Sequence, residues 1–322
     1  MTYIGIDISK ATFVAAYPTQ NGYTTRSFAN TPQGCHKFIH SLPASDCHCV
    51  LEATGNYSFL LTYLLDKAGI VVSMENPKRI KNFARMMLTV TKTDKADAKL
   101  IAMYGERMKP HPYKLPTESI MLLKQKRTVL RQLKKQYTAN RNLLKSLEVL
   151  PTVSHLAKKS LDKISMALDK QIKILEKDLA QTADEEFNKQ MVLLTSIKGI
   201  SVTIASALII TTGGFSYFDN AKQVSRYLGL CPTIQQSGSS VNYKGHINRN
   251  GDEQLRGQLY VASWSAIQHN TACRECYTRL KQQGKPSKVA LVAVSNKLIR
   301  QAFAVIKSGT PYQDGFVSKR QI

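Results

Sequence analysis

The chain has 322 residues, 43% of them hydrophobic, which is enough for about two domains with cores of their own. Its 45 Lys and Arg residues outnumber 22 Asp and Glu residues, giving a formal charge of +23. An excess of that size goes beyond what solubility requires and indicates a polyanionic partner. The basic residues run along the whole chain and are not gathered beside one apolar helix, which favours nucleic acid over a membrane surface.

Other features of the composition indicate the cellular compartment of the protein. We predict neither a membrane span nor a signal peptide, so we expect a cytoplasmic protein. Six cysteines are too few for a disulfide scaffold and suit a reducing compartment. The pair Cys273-Arg-Glu-Cys276 has zinc-like spacing, but no second pair matches it, so we interpret it as two thiols on a helix.

The first third of the chain alternates between strand-like and helix-like patterns. It predicts strands at 3–8, 12–17, 23–28, 48–52 and 71–74, and helices at 31–42, 56–68, 77–87 and 93–108. Three strands in succession form an antiparallel meander, and the alternating helices and strands follow it. We therefore expect an α/β domain over residues 1–115.

The rest of the chain is predominantly helical. Residues 116–186 predict a helical coiled-coil or linker region that Pro151 divides into two arms. Its second arm carries apolar residues at spacings of three and four: Leu161, Ile164, Leu168, Ile172, Leu175 and Leu179. This seam fits either self-association or an antiparallel hairpin within one chain. Residues 187–322 predict a mostly helical third domain, interrupted near Gly213-Gly214, at 237–240 and at 248–252.

Four carboxylates stand at positions that favour chemistry. Asp7 interrupts an Ile-rich strand, on the face opposite its isoleucines, although an edge aspartate facing water is the alternative. Glu52 closes another strand, and the carboxyl ends of strands are where open α/β sheets place their sites. Asp94 and Asp97 share one face of a predicted helix, where like charges repel unless a cation lies between them. For Asp94, a capping box begun by Thr91 is the alternative.

Taken together, the four carboxylates form an oxygen-ligand set suited to Mg²⁺ or Mn²⁺ and to in-line phosphoryl transfer. Two strands and one helix supply them, a layout expected of an RNase H-like nuclease fold. Three alternatives remain open on residues alone: a structure-specific nuclease, a non-catalytic nucleic-acid-binding protein and an ATPase with a similar first hairpin.

Several short motifs resemble one known family. The N-terminal ones are Tyr-Ile-Gly-Ile-Asp7, Leu-Glu52-Ala-Thr-Gly, Asn76-Pro77 and Lys92-Thr-Asp94-Lys-Ala-Asp97. The C-terminal ones are Ser196-Ile-Lys-Gly199-Ile-Ser, Gly229-Leu-Cys-Pro232 and Ser237-Gly-Ser-Ser-Val. The first set resembles the RuvC-like DEDD domain of insertion sequence 110 family transposases, and the second set resembles the C-terminal transposase domain of that family.

The resemblance implies a mechanism and partners. Asp7, Glu52, Asp94 and Asp97 would bind the divalent metal, and Ser237 would attack DNA to give a covalent phosphoserine. From the residues alone, Ser237, Ser239 and Ser240 are equivalent members of one flexible loop. The implied partners are donor and target DNA, a structured guide RNA and further copies of the chain in a dimer or tetramer. The implied location is the bacterial nucleoid.

Basic residues follow the serine loop closely. Lys244, His246, Arg249 and Arg256 are candidate phosphate ligands, and a merely solvated basic face is the alternative. Upstream, Ser201 occupies a position where the family usually has glycine. We therefore expect backbone strain at Ser201 if the position requires a positive φ.

Overall fold

A computed structural model gives the fold of the chain. It describes residues 1–43, 46–53, 55–89, 92–233, 247–248 and 251–315, together with the backbone of 235–237 and 241–243. The chain divides into two compact units, Met1–Leu115 and Pro116–Ile322.

The first unit is built on one mixed sheet of five strands, in the order β3-β2-β1-β4-β5. The strands are β1 (Thr2–Ile8), β2 (Thr12–Thr19), β3 (Gly22–Ala29), β4 (Cys47–Glu52) and β5 (Val71–Glu75). β1, β2 and β3 form an antiparallel meander, and β4 and β5 run parallel to β1. The predicted α/β unit with a leading meander is confirmed.

Helices cover both faces of this sheet. They are α1 (Pro32–His40), α2 (Phe59–Lys67), α3 (Pro77–Met86) and α4 (Asp94–Met108). α1 begins at Pro32, and the side chain of Thr31 caps it by accepting the N–H of Gly34. On one face, the isoleucines of β1 form a buried core with Phe38 of α1 and with Leu61 and Leu65 of α2.

α4 packs on the opposite face of the sheet at very short range. An ideal Cβ built on Gly5 of β1 would lie 2.1 Å from the backbone N of Ala102 and 2.2 Å from the carbonyl O of Ala98. Both of those atoms belong to the α4 backbone, which cannot move aside as a flexible side chain would. The approach of α4 to β1 therefore requires glycine at this position.

The second unit is mostly helical. Its elements are α5 (Glu118–Leu147), α6 (His155–Thr195), α7 (Val202–Thr212), α8 (Ala221–Tyr227), β6 (Gln235–Ser237), β7 (Val241–Tyr243), α9 (Glu253–His269), α10 (Thr271–Gln282) and α11 (Ser287–Ser308). α6 continues past the predicted end of the coiled-coil region at 186, with non-helical dihedrals at Phe187 marking a kink.

α5 and α6 pack against each other within the chain. Leu123 of α5 lies in a buried cluster with Leu179 and Ala183 of α6. Two ion pairs also join the helices: Lys126 to Asp178 at 2.7 Å and Lys134 to Glu176 at 2.5 Å. Of the seam residues, Ile172 and Leu179 are buried, while Ile164 is 51% exposed. The apolar seam thus contributes to an intramolecular hairpin, one of the two arrangements that the sequence allowed.

α11 has 22 residues, and its most apolar 18-residue segment has a mean hydropathy of 1.5, so by length and composition this described helix could cross a membrane. This differs from the expectation that the chain contains no such stretch. Half of this apolar segment is buried inside the second unit, where Leu291, Val294 and Leu298 are almost fully covered. Its apolar composition is that of a core helix.

We predict that Gly5→Ala lowers the free energy of unfolding by at least about 2 kcal/mol, because the added methyl overlaps the α4 backbone. Gly257→Ala in α9 is the matched control, since a Cβ there would meet nothing within 4 Å. Removing that helix glycine should leave stability unchanged or raise it by up to about 1 kcal/mol. Chemical denaturation followed by circular dichroism measures both, and equal stability of Gly5→Ala and the unmodified protein would contradict the proposed constraint.

Candidate functional site

Asp7 lies on the same face of β1 as Gly5, which is the face that α4 covers. The isoleucines at positions 4, 6 and 8 point into the core on the opposite face, as strand alternation predicts. Burial, the largest cause, and the negative charges of Asp97, Asp94 and Glu52 together raise the pKa of Asp7 from 3.8 to about 6. The Asp7 carboxylate therefore experiences the charges of all three other candidate residues.

Glu52 ends β4, the strand next to β1. Because Ile6 is paired with Leu51 in the parallel register, Asp7 and Glu52 are the next residues along the two strands. Burial is the largest effect that raises the pKa of Glu52, and the charge of Asp97 adds to it. The ammonium group of Lys92 opposes this increase.

Asp94 and Asp97 lie in the first turn of α4, where the helix dipole favours negative charge. Thr93 caps this helix by accepting the N–H of Ala96, and Asp94 is the first helical residue. The alternative that assigned Asp94 to a capping box begun by Thr91 is therefore wrong; Thr91 itself lies outside the described residues. Burial raises the pKa of Asp97, Lys92 lowers it, and Asp94 raises it again.

The four carboxylates are close enough to interact electrostatically, but they are not arranged as a finished metal site. In the described parts of the chain, no three His, Cys, Asp or Glu side chains converge closely enough to hold an ion. The chemistry of the four carboxylates nevertheless fits a metal site. Partly buried carboxylates that repel one another are relieved by a shared cation, and a set made only of oxygen donors suits Mg²⁺ better than zinc.

Sequence reasoning missed a fifth carboxylate on the same side of the sheet. Glu75 ends β5 and is paired in register with Glu52. It is only 7% exposed and forms an ion pair with Arg79 of α3 at 3.1 Å. The rule that drew attention to Glu52, a carboxylate at the carboxyl end of a parallel strand, would have found Glu75 as well.

Ser237 lies in the second unit, at the end of β6, where its backbone is paired with Val241 of β7. The structure places it in a short antiparallel ribbon. Ser239 and Ser240 lie outside the described residues, as do the predicted phosphate ligands Lys244, His246 and Arg249. The fourth predicted ligand, Arg256, is in α9 and donates a hydrogen bond to the carbonyl O of Leu228 at 3.2 Å.

The strain expected at Ser201 is absent. Ser201 has φ −79° and ψ 165° and caps α7 by accepting the N–H of Ile204. The positive φ of 105° lies two residues earlier, at Gly199. An ideal Cβ at Gly199 would lie 2.8 Å from the Cβ of Ala266. Position 199, and not position 201, is therefore the one that must be glycine.

A mixed sheet with clustered carboxylates in a strongly basic chain is typical of enzymes that act on nucleic acid, and comparison with known proteins narrows this class. Residues 4–151 match a transposase family of the DEDD type, and residues 191–278 match the family described as "Transposase IS116/IS110/IS902 family". The chain belongs to the insertion sequence 110 family of transposases, which makes it a DNA recombinase.

Individual relatives agree with this assignment. The chain is 32% identical to the pilin gene-inverting protein of Moraxella lacunata, across 97% of each sequence. It has the same identity and coverage with the pilin gene-inverting protein of Moraxella bovis. A 43.6 kDa protein of insertion element IS110 from Streptomyces coelicolor is 31% identical, over 38% of this chain and 30% of its own length.

One solved structure also matches part of the chain. It is T. thermophilus RuvC in complex with a Holliday junction substrate, at 13% identity and a TM-score of 0.27, covering 35% of this chain and 99% of that one. A similarity at this level says nothing about activity.

We predict that Asp7→Asn stabilises the metal-free protein at pH 8 by about 1–2 kcal/mol, after allowance for the partial exposure of the side chain. The reason is that burial, together with the charges of the three neighbouring carboxylates, raises the pKa of Asp7 to about 6. The protonated carboxyl favours the folded state below about pH 4, and that contribution is lost as the pH rises through 6. The difference between the two proteins should therefore vanish near pH 4.

Denaturation at a series of pH values in a chelator measures this effect. Asp66→Asn, which removes an exposed carboxylate from α2 on the other face of the sheet, controls for the loss of one negative charge. A stability gain for Asp7→Asn that is the same at pH 4 and pH 8 would show that charge burial is not its cause.

Proposed function

We propose that this transposase cuts and rejoins DNA with a divalent cation, Mg²⁺ or Mn²⁺, bound by Asp7, Glu52, Asp94 and Asp97. The observation that carries the proposal is the rise in the pKa of Asp7, to which all three of the other carboxylates contribute. Charges that interact in this way are a source of instability unless a cation neutralises them. Strongly perturbed acids in one place are also more frequent at functional sites than elsewhere.

We propose further that Ser237 is the nucleophile. Its Oγ would form a bond to a DNA phosphorus while a phosphodiester P–O bond breaks. The hydroxyl proton leaves Ser237, and the released DNA strand gains a proton on its new hydroxyl. When bound, a divalent cation stabilises the charge of the phosphoryl oxygens and makes the attacking hydroxyl more acidic. The phosphoserine ester conserves the bond, so the hydroxyl of another strand can reverse the step and rejoin the DNA.

The carboxylates of this chain would hold the cation from two structural elements, the sheet and α4. Asp7 and Glu52 project from adjacent strands of a rigid sheet, which fixes their separation. Asp94 and Asp97 sit at the start of α4, whose position against Gly5 is equally rigid. The ammonium group of Lys92 lies close enough to lower the pKa of Glu52 and of Asp97. It would therefore limit the negative charge of the site when the cation is exchanged.

The partners that we propose are donor and target DNA and a structured RNA of the same element that selects the target by base pairing. The charge of +23 supports a large nucleic-acid surface. Relatives named as pilin gene-inverting proteins match almost the whole chain, and inverting a segment requires cutting and rejoining at both of its ends. Because several DNA ends must then be held at once, we propose a dimer or tetramer.

We predict that Asp7→Asn and Glu52→Gln each reduce Mg²⁺-dependent DNA cleavage by more than ~100-fold. Substituting residues that only support the direct ligands of a metal typically reduces activity by ~10–100-fold, and loss of a direct ligand should cost more. Cleavage of end-labelled donor DNA in the presence of the element's own RNA provides the measurement, with binding followed separately by gel shift. Binding should persist in both variants, and Asp66→Asn should cleave normally. Full cleavage by Asp7→Asn, or by the unmodified protein in a chelator, would refute the metal proposal.

We predict that Ser237→Ala eliminates the covalent protein–DNA adduct, whereas Ser239→Ala and Ser240→Ala retain it, because only one serine oxygen forms the bond to phosphorus. The adduct is detected as labelled DNA that migrates with the protein in a denaturing gel and is released by protease. A normal adduct yield from Ser237→Ala would leave a metal-activated water or another hydroxyl as the nucleophile. Mixing Ser237→Ala with Asp7→Asn chains should restore activity if the two groups act from different subunits.

A further inference from the structure

A small basic cavity of about 210 Å³ lies in the second unit between α5, α6, α7 and α9. Arg127, Arg131 and Lys134 of α5 line it. Through Nη1, Arg127 donates to Asp252 at 2.6 Å and to Thr211 at 2.8 Å. Its other terminal nitrogen, Nη2, is buried and has no hydrogen-bond partner among the described residues. A buried, unused guanidinium N–H is costly until an acceptor arrives, so the cavity is suited to an anionic oxygen.

Gln258 of α9 lines the same cavity, and its Oε1 is also buried without a partner in the described part of the chain. Two side chains of the wall thus contain a buried donor and a buried acceptor that no described group uses. A ligand that reached them would satisfy the first with a phosphate oxygen and the second with an N–H or O–H of a base or sugar. Nucleotides carry both kinds of group.

A larger groove of about 700 Å³ adjoins this cavity, since Thr203 and Gln258 line both. Its walls are mostly apolar, and Val261 of α9 is 68% exposed there. Gly257 also lines the groove, although no atom of the described residues lies within 4 Å of the position that a Cβ would take. A glycine inside a helix is destabilising relative to alanine, and packing among the described residues does not require this one. It leaves the backbone of α9 open to a close approach from outside.

Trp264 is the chain's one tryptophan, and it is 48% exposed. It is not one of the residues that line the groove, but it lies three residues after Val261 and seven after Gly257, which do line it, so the three share one face of α9. A half-exposed indole offers a flat surface on which a nucleobase can stack.

We propose that the basic cavity and the apolar groove together bind one unpaired strand of nucleic acid, with its phosphates at Arg127 and Arg131 and its bases against Trp264. Arg131 is exposed and forms no ion pair with any described residue, so its charge is available to a phosphate. A single strand fits better than a duplex because only an unpaired base presents both its face and its edge to the protein. The proposal rests on the proposed function only in taking nucleic acid as the substrate class; it needs neither the metal nor Ser237.

The single tryptophan provides a direct test on the full-length protein. Trp264 fluorescence is titrated with a 12-nucleotide oligo(dT), a 12-nucleotide oligo(U) and a 12-base-pair duplex, in a chelator that prevents cleavage. We expect quenching by the single strands and not by the duplex, with affinity falling steeply as salt rises. Tighter binding of oligo(dT) would assign the groove to a displaced DNA strand, and tighter binding of oligo(U) would assign it to RNA.

Variants locate the binding. With dye-labelled oligonucleotides and anisotropy as the readout, Arg131→Ala and Trp264→Ala should each weaken single-strand binding about tenfold. Arg141→Ala, which removes another exposed arginine of α5 that lines neither cavity, should leave it within about twofold. Equal losses from Arg131→Ala and Arg141→Ala, or equal quenching by the duplex, would overturn the proposal. DNA cleavage without any tryptophan response would refute the groove alone, whereas absence of nucleic-acid binding altogether would refute the proposed function.

Discussion

The contact between Gly5 of β1 and the backbone of α4 is the constraint on which the carboxylate site depends. No side chain fits between them, so the helix lies directly on the strand. α4 begins at Asp94, and this close approach brings its first turn within electrostatic range of Asp7, two residues beyond Gly5. The neighbouring strand supplies Glu52 through its parallel register. One position without a side chain thus fixes a site made from three separate parts of the chain.

Each unit holds a group that the described fold does not fully satisfy: mutually repelling carboxylates in the first, and an unused guanidinium nitrogen of the Arg127–Asp252 pair in the second. In the first unit, half-buried carboxylates raise one another's pKa and would be relieved by a cation. In the second, a buried nitrogen of Arg127 has no described acceptor and would be satisfied by an anion. A nucleic acid accompanied by divalent cations supplies both. This complementarity links the proposed chemistry to the proposed binding groove without requiring any particular arrangement of the two units.

Local patterns predicted the first unit well because its signals are short-range. Alternation placed Asp7 opposite the isoleucines of β1, and Thr31-Pro32 marked the start of α1, as the structure shows. Patterns were less reliable where helices have several neighbours. Leu122 and Val129 of α5 are apolar and seven residues apart, a spacing that predicts one buried face, yet both are more than half exposed, whereas Leu123 is fully buried. α5 contacts both α6 and α7, so no single stripe describes its buried surface.

The sequence by itself determined the strand and helix order of the first unit, the basic charge, the four carboxylates and the family, because these follow from residue identity and short spacing. The tertiary structure decided the contacts between residues that are far apart in the sequence. It made glycine necessary at Gly5 through a helix that begins nearly ninety residues later, and it located Ser201 as an ordinary cap while assigning the positive φ to Gly199. It also paired Glu75 with Glu52, and left Arg127 and Gln258 with unused groups in one cavity. Contacts between distant segments depend on how close two backbones come, and local sequence carries no measure of that distance.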